Sequence, residues 1–140
     1  MGLDSKAEAA ASTPWRTVSN PRIFQIAYDS QRMYSRAVVL RNLGYDVQSV
    51  LGNQAAKDVL ISWPNYDVFI IGHDADDIVR LAMVQFIRAS YPRHPIVALN
   101  SAPGMQLDAL EYNAPVDESQ VWISLVQKAA GAHSAAPHRQ

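Results

Sequence analysis

From about residue 22 to residue 130, short apolar runs alternate with stretches in which apolar positions recur every three or four residues. The first run, Ile23-Phe24-Gln25-Ile26-Ala27-Tyr28, ends at Asp29 and predicts a buried strand. Ser30 is placed to cap a helix on which Met33, Ala37 and Leu40 share one face, with Val38 beside them. Gly44 supplies its stop, where positive φ is needed. Tyr45 to Val50 reads as the second strand. Gly52-Asn53 then turns into a helix from Gln54 to about Ser62, with Ala56, Val59 and Leu60 inward, broken by Pro64-Asn65. The third strand runs from Asp67 to Ile71. Its unbroken apolar stretch from Val68 predicts a central strand covered on both faces. Asp76 or Asp77 opens a third helix whose buried stripe reads Ile78, Val79, Ala82, Met83 and Phe86, and Pro92 ends it. Pro95 to Leu99 is a fourth strand, and a weak fifth is centred on Leu110 to Tyr112. A last helix follows Asp117 and buries Val121, Trp122, Leu125 and Val126.

Strands and helices in this alternation predict an α/β fold with a parallel sheet and helices on both faces. Right-handed crossovers then point to the flavodoxin-like three-layer sandwich, five strands in the order 2-1-3-4-5. Functional groups in such a sheet gather at the C-terminal ends of the strands. Here those ends are Tyr28-Asp29, Gly72 to Asp74, and Asn100-Ser101. Only Ser101 to Ala109, with Pro103 and Gly104, separate the fourth and fifth strands. A parallel crossover normally takes at least ~10–12 residues, so the fourth helix is expected to be short or absent. Residues 1–20 read as a flexible tail carrying Trp15, residues 21–130 as the folded domain, and residues 131–140 as a second flexible tail. Trp15 either folds back on the domain or docks on a partner.

Composition removes several function classes. The 140 residues include no cysteine, which excludes disulfides, thiolate chemistry and cysteine-bound zinc. A formal charge of −1 is not the footprint of a nucleic-acid binder. The chain has no apolar signal-peptide core and no run near the ~20 residues a membrane span needs, so a cytoplasmic protein without membrane contact is expected. No glycine-rich phosphate loop is present, since Gly72 stands outside any G-x-G-x-x-G pattern.

Three pieces of the chain carry a resemblance. They are Leu40-Arg41-Asn42-Leu43-Gly44-Tyr45-Asp46-Val47, the span from Asn53-Gln54-Ala55-Ala56 to Tyr66-Asp67-Val68-Phe69-Ile70-Ile71, and Pro95-Ile96-Val97-Ala98-Leu99. In this order and spacing, residues 22 to 130 resemble the receiver domain of bacterial response regulators. The resemblance implies a signalling domain of two-component systems or phosphorelays, with a kinase or effector protein as partner and with self-association as an option. It also implies where the family's phosphorylation chemistry should sit. The acidic pair that holds magnesium falls at Tyr28 and Asp29, so one acid is missing. The phosphate-accepting aspartate falls at Gly72, which has no side chain. The hydroxyl residue after the fourth strand falls at Asn100, and the lysine before a proline falls at Ala114. Phosphoryl transfer relies on positioning and charge neutralisation, and a lone Asp29 is a poor magnesium site. The expectation is therefore a degenerate, stand-alone receiver that acts by protein contact, without enzymatic activity, metal or cofactor.

Other polar residues keep two readings. Asp29, His73 and Asp74 could form a polar site, with His73 as ligand or base and Asp74 as substitute acceptor, in a flavodoxin-like small-molecule or metal-binding protein or weak hydrolase. Alternatively Asp29, with Ser30, only caps the first helix, Asp76 and Asp77 cap the third, and His73 hydrogen-bonds a neighbouring loop. Trp63 is placed to cover one end of the sheet. Arg80, Arg88 and Arg93 read as a solvated face, and Ser35 and Arg36 show no matched base or acid.

Overall fold

A computed structural model describes residues 20–101, 107, 110, 112–116 and 119–135. Trp15 and most of the segment joining the fourth and fifth strands lie outside the described residues. Five parallel strands form one sheet in the order β2-β1-β3-β4-β5. They are β1 (Arg22–Ala27), β2 (Asp46–Leu51), β3 (Val68–Ile71), β4 (Ile96–Asn100) and β5 (Tyr112–Pro115). Helices α1 (Ser30–Asn42), α2 (Asn53–Ser62), α3 (Asp77–Ser90) and α4 (Ser119–Ala135) cover both faces. This is the expected flavodoxin-like arrangement. Among the described residues no helix lies between β4 and β5, where only Ser101, Leu107 and Leu110 are described.

The period-2 geometry of a strand splits the apolar runs between two cores. Phe24, Ile26, Phe69, Ile71, Ile96 and Ala98 face one side and pack on Ala56 and Leu60 of α2 and Met83 and Ile87 of α3. Ile23, Val68, Ile70, Val97 and Leu99 face the other and pack on Leu40 of α1 and Trp122, Val126 and Ala129 of α4. The registers Ile23↔Val68 and Phe69↔Ile96 keep these faces aligned across the sheet. Burying strands on both sides removes any polar alternation, hence the continuous apolar runs in the sequence. At the end of α1, Gly44 adopts φ 98°, open to a glycine at no steric cost. Its N–H donates to the Arg41 carbonyl at 2.9 Å.

Several expectations shift. The cap of α1 is Asp29, whose Oδ2 accepts from the Arg32 N–H at 2.9 Å, and Ser30 is the first helical residue. Val38 is exposed, and its place on the inner face is taken by Arg36. On α3, Ile78 and Val79 are exposed, Ala82 is exposed and Phe86 is only half-buried; the inner face is Arg80, Met83, Val84 and Ile87. The apolar stripe was displaced because a charged residue, Arg80, belongs to the buried face. Asp76 holds the N-cap position of α3 without a capping side-chain bond, and Asp77 lies in the first turn. β5 begins at Tyr112 and so lies further along the chain than expected. Val121 is exposed on α4, and Trp63, placed by the sequence to cover one end of the sheet, is 67% exposed to solvent. α4 continues to Ala135, beyond the expected boundary at residue 130.

Candidate functional site

The C-terminal edges of β1, β3 and β4 meet at the place where strand order reverses. Tyr28, at the end of β1, turns toward the α2–α3 side. Its hydroxyl donates to Asn53 Oδ1 at 2.7 Å, and Asn53 Nδ2 donates to the Val79 carbonyl at 2.9 Å. Burial pushes the Tyr28 phenol up to about 12, against an opposing pull from Arg80. Tyr28 is thus a brace between β1, α2 and α3. Asp29 is engaged at the N-terminus of α1, where a carboxylate suits both the free N–H groups and the helix dipole.

Gly72 follows β3 and is buried; its N–H donates to the Ile26 carbonyl at 2.9 Å. Positive φ does not account for glycine here. A Cβ at this position would lie 3.1 Å from Arg36 Nη1 and 3.4 Å from the Ile26 carbonyl oxygen. The space a side chain would enter is taken by the Arg36 guanidinium, brought in from the inner face of α1. Arg36 is 5% exposed. Its Nη1 reaches Gln25 Oε1 at a long 3.4 Å, while Nη2 is buried with no hydrogen-bond partner among the described residues. Gln25 is fully buried in β1 and is otherwise engaged with the Met33 carbonyl and Ser49 Oγ. Burial pulls the Arg36 pKa below its ordinary value, and Asp74 and Asp29 oppose that shift.

A second arginine closes the other side of the edge. Arg80, 3% exposed, donates from Nε to the Gly72 carbonyl at 2.7 Å and from Nη2 to the Leu99 carbonyl at 2.6 Å. Nη2 also reaches Asn100 Oδ1 at 3.2 Å, and Nη1 lies 3.4 Å from Asp77 Oδ1. Arg80 therefore ties the ends of β3 and β4 together and does not belong to a solvated face. Asn100 is committed too: its Nδ2 donates to Asn113 Oδ1 at 3.1 Å. Asn113 in turn accepts from the Leu107 N–H and donates to the Leu110 carbonyl, organising the entry to β5. Ala114 is buried in the core of β5 beside Leu99.

Of the polar trio, His73 and Asp74 come together, with Nδ1 to Oδ1 at 3.3 Å. Arg32 Nε stands 3.4 Å from the other oxygen of Asp74. Among the described residues Asp29 makes no hydrogen bond or ion pair with His73 or Asp74; it caps the backbone of Arg32. The His73 side chain is 8% exposed, and its Nε2 has no partner among the described residues. Burial lowers the His73 pKa; Asp74 opposes this, and Arg36, Arg32 and Arg80 add to it. A cavity of about 440 Å³ beside it is lined by His73, Asp76, Asp77, Arg80 and Ser101, among others. Among the described residues no group of three or more His, Asp or Glu side chains is arranged to hold a metal ion. No described helix is long and apolar enough to cross a membrane.

Sequence reasoning missed Arg36, Arg80 and Gln25. A signal was present: Arg36 precedes Leu40 by four residues and Arg80 precedes Met83 by three, which places both on buried helical stripes. Gln25 interrupts an otherwise apolar strand.

No protein-family model and no curated protein sequence matches the chain. Solved structures do. A signal receiver domain of an HD domain-containing protein from Pseudomonas fluorescens superposes with a TM-score of 0.71 at 13% identity, over 84% of this chain and 99% of that one. The response regulator TrrA of Thermotoga maritima, solved with Mg²⁺ and BeF, gives 0.64 at 19% identity, over 77% and 95%. TrrA in complex with the histidine kinase ThkA gives 0.67 at 18% identity, over 78% and 97%. The fold is that of response-regulator receiver domains.

Proposed function

We propose that this chain is a receiver-like interaction module of two-component signalling that does not accept a phosphoryl group. The observation that carries the reading is the pairing of Gly72 with Arg36. At the position the resemblance assigns to the acceptor there is no carboxylate, and a guanidinium occupies the space beside it. A cation placed there also opposes a divalent metal, and Asp29 is already held by the α1 N-terminus. The similarity to TrrA, a regulator solved bound to a histidine kinase, supports a protein partner such as a kinase or an effector. The functional states of such a module are set by which partner is bound.

The test is incubation with acetyl phosphate and magnesium, followed by intact mass measurement. No phosphoryl adduct is expected on the wild-type chain. A stable adduct that disappears in Asp74→Asn would overturn the reading and make Asp74 a substitute acceptor.

A further inference from the structure

We infer that the groove between α1 and the start of α4 is a binding site for a small organic oxyanion, a carboxylate or phosphate monoester carrying an apolar body. The groove has a volume of about 530 Å³, within the ~300–1,000 Å³ range of small-molecule sites. Arg32, Arg36, Ser35 and Ser119 line it with charge and hydroxyls, and Val39 and Trp122 contribute apolar surface.

Three features single out an anion. First, Arg36 is more than nine-tenths buried, makes no ion pair among the described residues, and leaves Nη2 without a hydrogen-bond partner. A desolvated guanidinium left in this state is costly, and an acceptor carrying negative charge recovers that cost. Its one tether, at 3.4 Å to Gln25, is long, and the Arg36 side chain lines the groove. Second, Ser119 is the first residue of the 17-residue α4, so the positive end of a helix dipole borders the same space. Third, the second arginine, Arg32, stands at the groove with its side chain half exposed, able to meet a ligand from solvent. Among the described residues, two carboxylates stand near these arginines. Asp29 lines the groove, but its Oδ2 is used by the α1 backbone, and Asp74 is paired with Arg32 and His73. Planar, forked recognition of carboxylate or phosphate is the chemistry in which arginine exceeds lysine.

The probes are phenyl phosphate, benzoate and inorganic phosphate, titrated at constant ionic strength balanced with sodium chloride. The readouts are melting temperature and ¹⁵N–¹H spectra of the full chain. Expected is a saturable rise in melting temperature with phenyl phosphate or benzoate that exceeds the effect of inorganic phosphate. The shifted signals should include the backbone amides of Ser35 and Ser119. Comparing phenyl phosphate with benzoate tells which oxyanion the groove takes. Arg36→Gln and Arg32→Gln should each weaken the binding about tenfold or more, and Arg93→Gln, away from the groove, should not. Arg32→Gln decides the matter if Arg36→Gln does not fold. Shifts no larger than chloride produces, shifts that map away from the groove, or binding unchanged in Arg32→Gln would overturn the inference.

Discussion

At Arg80 a single side chain answers three acceptors at the strand ends, the carbonyls of Gly72 and Leu99 and the amide oxygen of Asn100. Hydrogen bonds to a charged donor contribute about 1.5–3 kcal/mol each, and an acceptor left buried and unmet costs further. Arg80→Met keeps the apolar stem and removes the donors. It is expected to lower unfolding free energy by about 2–4 kcal/mol in urea titration, with the slope unchanged. A loss within experimental error would show that water replaces the guanidinium without penalty. His73 carries the pH dependence of this edge. Burial chiefly, and then the three nearby arginines, hold its pKa below the ordinary 6.5, with Asp74 opposing. The unfolded chain therefore takes up this proton at a higher pH than the folded chain. Stability is full above pH 6.5 and is lost as pH falls from there through the folded-state pKa. The urea midpoint of the wild type should drop between pH 7.5 and pH 5.5 by more than that of His73→Gln. Equal drops would show that His73 gains its proton equally well in both states. Both residues were visible in the sequence as types, but their roles were not. Whether an arginine is solvated or buried depends on what covers it, and His73 was left between two readings for the same reason.

At the scale of elements, the helices were legible in existence and extent while their buried faces were not all assigned correctly. The reading of α3 placed Ile78 and Val79 inward because only apolar residues were counted as buried. The inner face instead centres on Arg80, Met83, Val84 and Ile87, and Ile78 is 83% exposed. Ile78→Lys should therefore change stability by only about 0.5 kcal/mol or less, as surface substitutions do. Met83→Ala, at a fully buried position, should cost about 2–5 kcal/mol. Chemical denaturation of the two variants side by side checks this assignment, and a loss of about 2 kcal/mol or more for Ile78→Lys would restore the first reading. α1 shows the same rule. The inner position next to Ala37 is held by Arg36, and Val38 faces solvent. The strands were read closely because a central strand needs no choice of face. β5 was placed short of its true position because the chain before it lacks a strong apolar pattern, and its entry is organised by Asn113.

For the whole molecule, the alternation of apolar runs and amphipathic stretches was enough to determine a two-sided parallel sheet. Each strand must be covered on both faces, and right-handed crossovers leave few orders to choose from. The sequence by itself also determined that Gly72 brings no carboxylate to the strand-end site, since side-chain identity needs no coordinates. What fills that space was a matter for the tertiary structure alone. Gln25 lies on β1, Arg36 on α1 and Gly72 just after β3, and only packing α1 against the sheet brings them within reach of one another. The same packing brings Arg36, Ser119 and Trp122 to one groove between helices at opposite ends of the chain. Contacts of this kind depend on long-range geometry, which local propensity and periodicity do not encode.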